Sequence, residues 1–295
     1  MAATTSTYAD SMARINALCT YEAANPRINP ECASIVMEHG RRTRRSIVCM
    51  HGITSSPVQF RDLGALFFER GYNVLILRMP RHGYRDRLTH AQSRLKVADY
   101  QAYVTEATEI GRGLGEHLTV AGLSVSGVLA AWVAQTRADL DLAVPIAPSF
   151  APRDVPPLLI PGLIEVLRRL PNLLVPWDFR RPVPVAPGCS YPRFSTHAVA
   201  EAFRLGAEVL QAATRTPPAA RSILVVTNPG DMAVNDPATR TVVRQWRIHA
   251  DRTKIREYVF GPELQNMHDI IGPYQPNARV DYVYPILLDL IDSSA

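Results

Sequence analysis

The 295-residue sequence has no run of about 18 uncharged apolar residues, so no part of it reads as a membrane span. Its first residues, Met1 to Thr7, lack a charged start and an apolar core, so no secretory signal is expected and the location is read as cytoplasmic. Cysteine is scarce: Cys19, Cys32, Cys49 and Cys189 are too few to form a disulfide framework in a chain of this length. Cys49 lies in an apolar run and reads as a small buried hydrophobe, while a pairing of Cys19 with Cys32 in the N-terminal segment is left open. No ligand cluster has metal spacing, so neither a metal nor an organic cofactor is expected. Internal repeats and low-complexity tracts are absent. The net charge is +5, and the densest basic cluster is Arg41-Arg42-Thr43-Arg44-Arg45. It has no interleaved aromatics and no nucleic-acid module around it, so it reads as a solvated loop and no nucleic-acid partner is expected.

What is present is apolar and periodic. Hydrophobic residues make up 47% of the chain, enough for a large core in one domain. Aliphatic runs at 45–50, 73–78, 118–122 and 141–147 alternate with helical patterns at 59–70, about 97–115 and 125–136. That alternation predicts βα units and a parallel sheet. Tyr8, Met12 and Ile15 have near-helical spacing in an N-terminal extension, residues 1–44, that is expected to pack on the body.

The most specific signal is Val120-Ala121-Gly122-Leu123-Ser124-Val125-Ser126-Gly127. An apolar strand runs into a tight Gly-x-Ser turn and a small-residue helical run leaves it, which places Ser124 at the apex of a strained turn as a candidate nucleophile. Gly122, Ser126 and Gly127 are the small supports of that turn. Ser126 stands where the usual signature has glycine and is expected to be a tolerated substitute, its hydroxyl bonding a carbonyl of the preceding turn.

An acid and then a histidine should follow on loops after later strands. Ser222 to Thr227 reads as a buried strand ending in Asn228-Pro229-Gly230-Asp231, and Ile255 to Phe260 reads as another, followed by Asn266-Met267-His268-Asp269. Asp231 and His268 are therefore the candidate acid and base. Asp236 is the rival acid, but it precedes Pro237 and a helical run over Ala238 to Trp246, which suits a helix N-cap. Early in the chain, Ser46 to Met50 runs into His51-Gly52-Ile53-Thr54. A His-Gly pair after an early strand turns backbone amides toward the nucleophile, making the N–H groups of Ile53 and Val125 the candidate oxyanion donors. His51 and Gly52 are read as supports of that loop, with His51 orienting it.

These residues resemble the α/β-hydrolase superfamily, in particular its bacterial carboxylesterases and monoacylglycerol-lipase-like members. The pieces Phe60 to Phe68, Arg70-Gly71-Tyr72-Asn73-Val74-Leu75 and Pro80-Arg81-His82-Gly83 are similar too, so the likeness spans roughly Arg45 to Phe150 and Ala200 onward. The resemblance implies an α/β fold with a mostly parallel eight-strand sheet flanked by helices, a Ser-His-Asp triad and ester hydrolysis. It divides the chain into a hydrolase core over 45–148 and 196–295 and a cap over 149–195. The cap is Pro-rich and apolar, and its expected use is to line a pocket for the apolar acyl group of a small ester. His-Gly-Ile-Thr, rather than His-Gly-Gly-Gly, places the likeness with the single-glycine type. Thioesterase, amidase, acyltransferase, haloperoxidase and carbon–carbon hydrolase chemistry share the same triad, and a non-catalytic binding protein is the alternative outside enzymes.

Overall fold

The computed structural model describes residues 6–156, 159–176, 189–264, 267–275 and 277–294. Helix α1 (Tyr8–Ala24) begins with a capping box in which Thr7 and Asp10 satisfy each other's backbone amides. Its inner face, Tyr8, Met12 and Ile15, packs on the core. Strand β1 (Ile35–Met37) follows, then β2 (Thr43–Met50), α2 (Arg61–Glu69), β3 (Tyr72–Ile76), α3 (Val97–Leu114), β4 (Gly115–Leu123), α4 (Val125–Thr136) and β5 (Leu142–Ile146). The chain continues through α5 (Ile160–Arg169), β6 (Leu174–Pro176), β7 (Arg193–Ser195), α6 (Thr196–Ala213), β8 (Ser222–Thr227), α7 (Asp236–His249), β9 (Lys254–Val259) and α8 (Val280–Asp292).

The main sheet has the order β1-β3-β2-β4-β5-β8-β9, parallel throughout except for the antiparallel edge strand β1. Among the described residues it has seven strands, not the eight that the resemblance implies: a single three-residue strand ends the N-terminal edge. Its central strands are near-continuous apolar runs because helices cover both faces. Along β2, Ile47 and Cys49 point to the layer holding Phe67 and Leu287 of α2 and α8. Val48 and Met50 point to the layer holding Val104 and Leu129 of α3 and α4. Strand β2 pairs with β3 on one side and β4 on the other, so the chain changes winding direction between β2 and β4. The crevice beyond the carboxyl ends at such a switch point is where open α/β sheets bind ligands.

Between β5 and α6 the chain leaves the sheet to form α5 and the antiparallel β6–β7 pair. Of its apolar runs, Pro157, Leu158, Trp177 and 181–185 lie outside the described residues, as does Asn266. Arg168 on α5 reaches buried Glu201 on α6 at 3.1 Å. The start of this segment is held by Asn235, whose N–H donates to Ala151 O and whose amide lies 2.9–3.1 Å from the carbonyls of Pro152, Arg153 and Val155. Its end is held by Tyr191 N–H, which donates to Thr54 O at 2.7 Å, and by a disulfide between Cys189 and Cys32. Cys32 thus pairs across 157 residues and not with Cys19, which is free and exposed. Among the described residues no helix is long and apolar enough to cross a membrane.

Candidate active site

Ser124 sits immediately beyond β4 with φ 62° and ψ −118°, a conformation that costs a side-chain-bearing residue about 1–3 kcal/mol. The surroundings over-determine it. Its N–H donates to Ile146 O at 2.9 Å, and its carbonyl accepts from Val128 N–H and Ser149 N–H at 3.2 and 3.0 Å. Two glycines allow helix and strand to approach this closely. A Cβ on Gly122 would collide with the Ser126 carbonyl, and one on Gly127 would lie 2.9 Å from Ile146 O. Helix α4 starts at Val125 with no side-chain cap, so its first amides are open to an external acceptor.

The loop after β2 is held at four successive carbonyls. His51 O accepts from the Ser126 hydroxyl at 2.6 Å. Gly52 O accepts from Ser55 N–H at 3.0 Å and faces His51 Nδ1 at 2.9 Å. Because Met79 N–H donates to His51 Nε2 at 3.1 Å, the His51 proton sits on Nδ1 and is donated to Gly52 O. Ile53 O faces His82 Nε2 at 2.6 Å and accepts from the Gln92 amide at 3.1 Å, and Thr54 O accepts from Tyr191 N–H. Gly52 N–H is also occupied, by Gln59 Oε1 at 2.8 Å. In a trans peptide the C=O and N–H point in opposite directions, so fixing Gly52 O aims the Ile53 N–H. Among the described residues, neither the Ile53 nor the Val125 N–H donates to a protein acceptor. Gly52 lies against the nucleophile candidate, since a Cβ built on it would be 3.9 Å from Ser124 Cβ.

On the far side of the crevice, Asp231 follows β8 and His268 follows β9. His268 Nδ1 lies 2.6 Å from Asp231 Oδ2, with the Asp231 side chain buried and the His268 side chain 9% exposed. The other carboxylate oxygen is taken by Ala233 N–H and Val234 N–H at 2.7 and 3.3 Å. A carboxylate only accepts, so Nδ1 carries the imidazole proton and Nε2 is left as the basic nitrogen. Asn228 ties the two loops together, its amide donating to Leu264 O and Met267 O, both at 2.7 Å.

The rival acid has a different position from the one expected. Asn235, not Asp236, is the N-cap of α7, its side chain accepting from Ala238 N–H at 2.9 Å, and Asp236 is the first helical residue. Asparagine and aspartate cap about equally well, and adjacent in sequence they differ only in which one the chain turns at. Burial raises the Asp236 carboxyl above its ordinary pKa, partly offset by Arg240. Ser126 also departs from expectation: its hydroxyl reaches across to the His51 carbonyl on the loop after β2, 75 residues away, instead of to its own helix.

Residues 41–257 match the family described as serine aminopeptidase, S33. The chain belongs to this family of α/β hydrolases. No curated protein matches the sequence. Among solved structures, one reported for the metagenome-derived lipolytic enzymes LipS and LipT has a TM-score of 0.65 at 17% identity, covering 90% of this chain and 100% of that one. A monoacylglycerol lipase from Paleococcus ferrophilus gives 0.66 at 17%, covering 89% and 98%. Est1E from Butyrivibrio proteoclasticus, in complex with ferulic acid, gives 0.57 at 14%, covering 88% and 94%. At these identities the likeness is one of fold.

In this S33-family chain, a serine in a strained turn, an imidazole oriented by a carboxylate and two undonated amides all lie on loops that follow the carboxyl ends of β2, β4, β8 and β9. Sequence reading assigned no role to the residues that hold these loops: Gln59, His82, Gln92, Tyr191 and Asn228. Of these, His82 and Asn228 stand in segments that the sequence marks, Pro80-Arg81-His82-Gly83 and Asn228-Pro229-Gly230-Asp231. Burial holds both loop histidines neutral, pushing His51 down to about 3, with His82 and Arg78 adding to the effect, and His82 down to about 4.

Proposed function

We propose that the protein is a serine hydrolase that cleaves carboxylic esters through an acyl-enzyme on Ser124. His268 Nε2 removes the Ser124 proton as the oxygen attacks the ester carbonyl, while Asp231 holds the ring in the required tautomer and balances the imidazolium. The Ile53 and Val125 amides stabilise the oxyanion. The imidazolium protonates the departing alcohol, and water activated by the same nitrogen then releases the acid. The observation that carries this reading is the 2.6 Å Asp231–His268 pair beyond the same end of the parallel sheet as the positive-φ Ser124. The segment from residue 149 to 195 is proposed as a cap, offering apolar side chains to the acyl group of a small ester. A cytoplasmic location sits poorly with the Cys32–Cys189 bond, which belongs to oxidising compartments.

Amide cleavage is the second reading, since the family's description names an aminopeptidase and a fold hosts many reactions. A panel of p-nitrophenyl esters of increasing acyl length, set against aminoacyl p-nitroanilides, separates the two. Esters should be hydrolysed far faster, and Ser124→Ala should lower turnover on the order of 10⁶-fold with the fold intact. A dominant rate on anilides would replace the ester reading, and undiminished turnover in Ser124→Ala would remove the nucleophile assignment.

A further inference from the structure

We propose that Ser126 is a positioning residue that locks the oxyanion loop to the nucleophile elbow and so sets the relation between the Ile53 and Val125 amides. The inference rests on the ester-hydrolase reading above. The two donors belong to different elements. Val125 opens α4, whereas Ile53 lies on the loop after β2. A two-point hole works only if both N–H groups reach one oxygen at about 2.7–3.1 Å, so something must fix the distance between the elements.

Ser126 is adjacent to Val125 and fully buried, and its hydroxyl donates at 2.6 Å to the carbonyl of His51, two residues before Ile53. Among the described residues, no other donor reaches that carbonyl. The N–H of the same 51–52 peptide is held by Gln59 at 2.8 Å. The peptide is therefore clamped at both ends, once to the elbow helix and once to Gln59 in the short 3₁₀ turn Pro57–Phe60 that leads into α2. The next peptide, 52–53, carries the candidate donor and is aimed through Gly52 O by His51 Nδ1 and Ser55 N–H. A glycine at 126, usual in the signature, has no atom that can make the first clamp. In this chain the oxyanion loop takes its alignment from the elbow through a hydroxyl that the common pattern lacks.

The test compares Ser126→Ala, Ser126→Gly and Ser126→Thr by ester kinetics and by hydrogen–deuterium exchange of the peptide spanning residues 50–56. Both variants without the hydroxyl should lose between tenfold and a hundredfold in kcat at little-changed KM, as sub-ångström misalignment of oriented groups does. Exchange in the 50–56 peptide should rise while the peptide around Asp231 and Asn235 stays as in the wild type. Ser126→Thr, which keeps the hydroxyl, should recover most of both. A kcat within twofold of wild type in Ser126→Ala, or a loss confined to KM, would overturn the proposal. So would unchanged exchange at 50–56. If the wild type hydrolyses no ester, the functional reading has failed, and the exchange experiment still decides whether Ser126 holds the loop.

Discussion

The two sides of the crevice are built differently. On the side of the loop after β2, His51, Gly52 and Ile53 are buried, the elbow from Gly122 to Gly127 is buried, and carbonyls 51, 53 and 54 each meet a donor from a distant part of the chain. On the side of the segment between β5 and α6, α5 buries Ile164, while Leu159, Val166, Leu170 and Leu173 are 58%, 52%, 54% and 61% exposed. That segment is secured at its roots, by Asn235 at one end and by Tyr191 and the Cys32–Cys189 bond at the other, with the Arg168–Glu201 pair between them. Preorganised donors need a scaffold that does not yield when charge develops, whereas a surface that accommodates acyl groups of varied shape does not. Substitutions near the oxyanion and acid loops should therefore act on turnover, and substitutions on α5 should act weakly and on substrate preference.

The largest effect that sharpens this contrast concerns the acid. Asp231→Asn should lower kcat by about 10⁴, as when a triad tautomer is disturbed. Asp236→Asn should retain most activity, because Asn235 already caps α7. Steady-state kinetics on one ester ranks the two, and the reverse order would move the acid role to Asp236.

A second effect belongs to the side of the loop after β2. His51 and His82 pack edge to face at 5.4 Å, near Arg78, with both rings buried. Burial depresses both pKa values, to about 3 and about 4, whereas the unfolded chain takes up its protons near 6.5. The unfolded state thus binds more protons in between. The contribution is complete above about pH 6.5 and is lost as pH falls toward 4, by up to about 1.4 kcal/mol per pH unit for each histidine. His117, half-buried at the opposite end of β4, is also depressed by burial and adds to the trend. Urea midpoints should fall steadily between pH 7 and 4.5, and less steeply in His82→Gln. A flat profile would mean that these rings are solvated.

Much of this arrangement is readable from residue order, for a physical reason. A parallel sheet covered on both faces demands continuous apolar strands, so 45–50, 118–122 and 222–227 are plain in the sequence, and the turn at Gly122-Leu123-Ser124 has few other uses. Asp231 and His268 emerge because loops after strands in a parallel sheet all open at one end. The tethers are not readable. Ser126 to His51, Asn228 to Leu264 and Met267, and Cys32 to Cys189 join residues 75, 36, 39 and 157 positions apart. No local periodicity encodes such contacts. The cap of α7 was missed for the opposite reason: two equally good capping residues stand side by side, and only the turn of the backbone selects Asn235.

The smallest expected effects are on α5. Val166→Ser and Leu170→Ser, both at exposed positions, should change stability by no more than about 0.5 kcal/mol. They should also leave kcat on the shortest ester within about twofold, with any change appearing in the ratio of long-chain to short-chain rates. A loss in kcat comparable to that of Asp231→Asn would erase the proposed division between a rigid chemical side and an adaptable cap side.

The most direct test of the central claim is to treat the folded protein with a fluorophosphonate and map the adduct by peptide mass spectrometry. The account requires one phosphonyl group on Ser124, absent from Ser124→Ala and formed far more slowly in Asp231→Asn. An unlabelled protein, or an adduct on another residue at the same rate in Ser124→Ala, would contradict it.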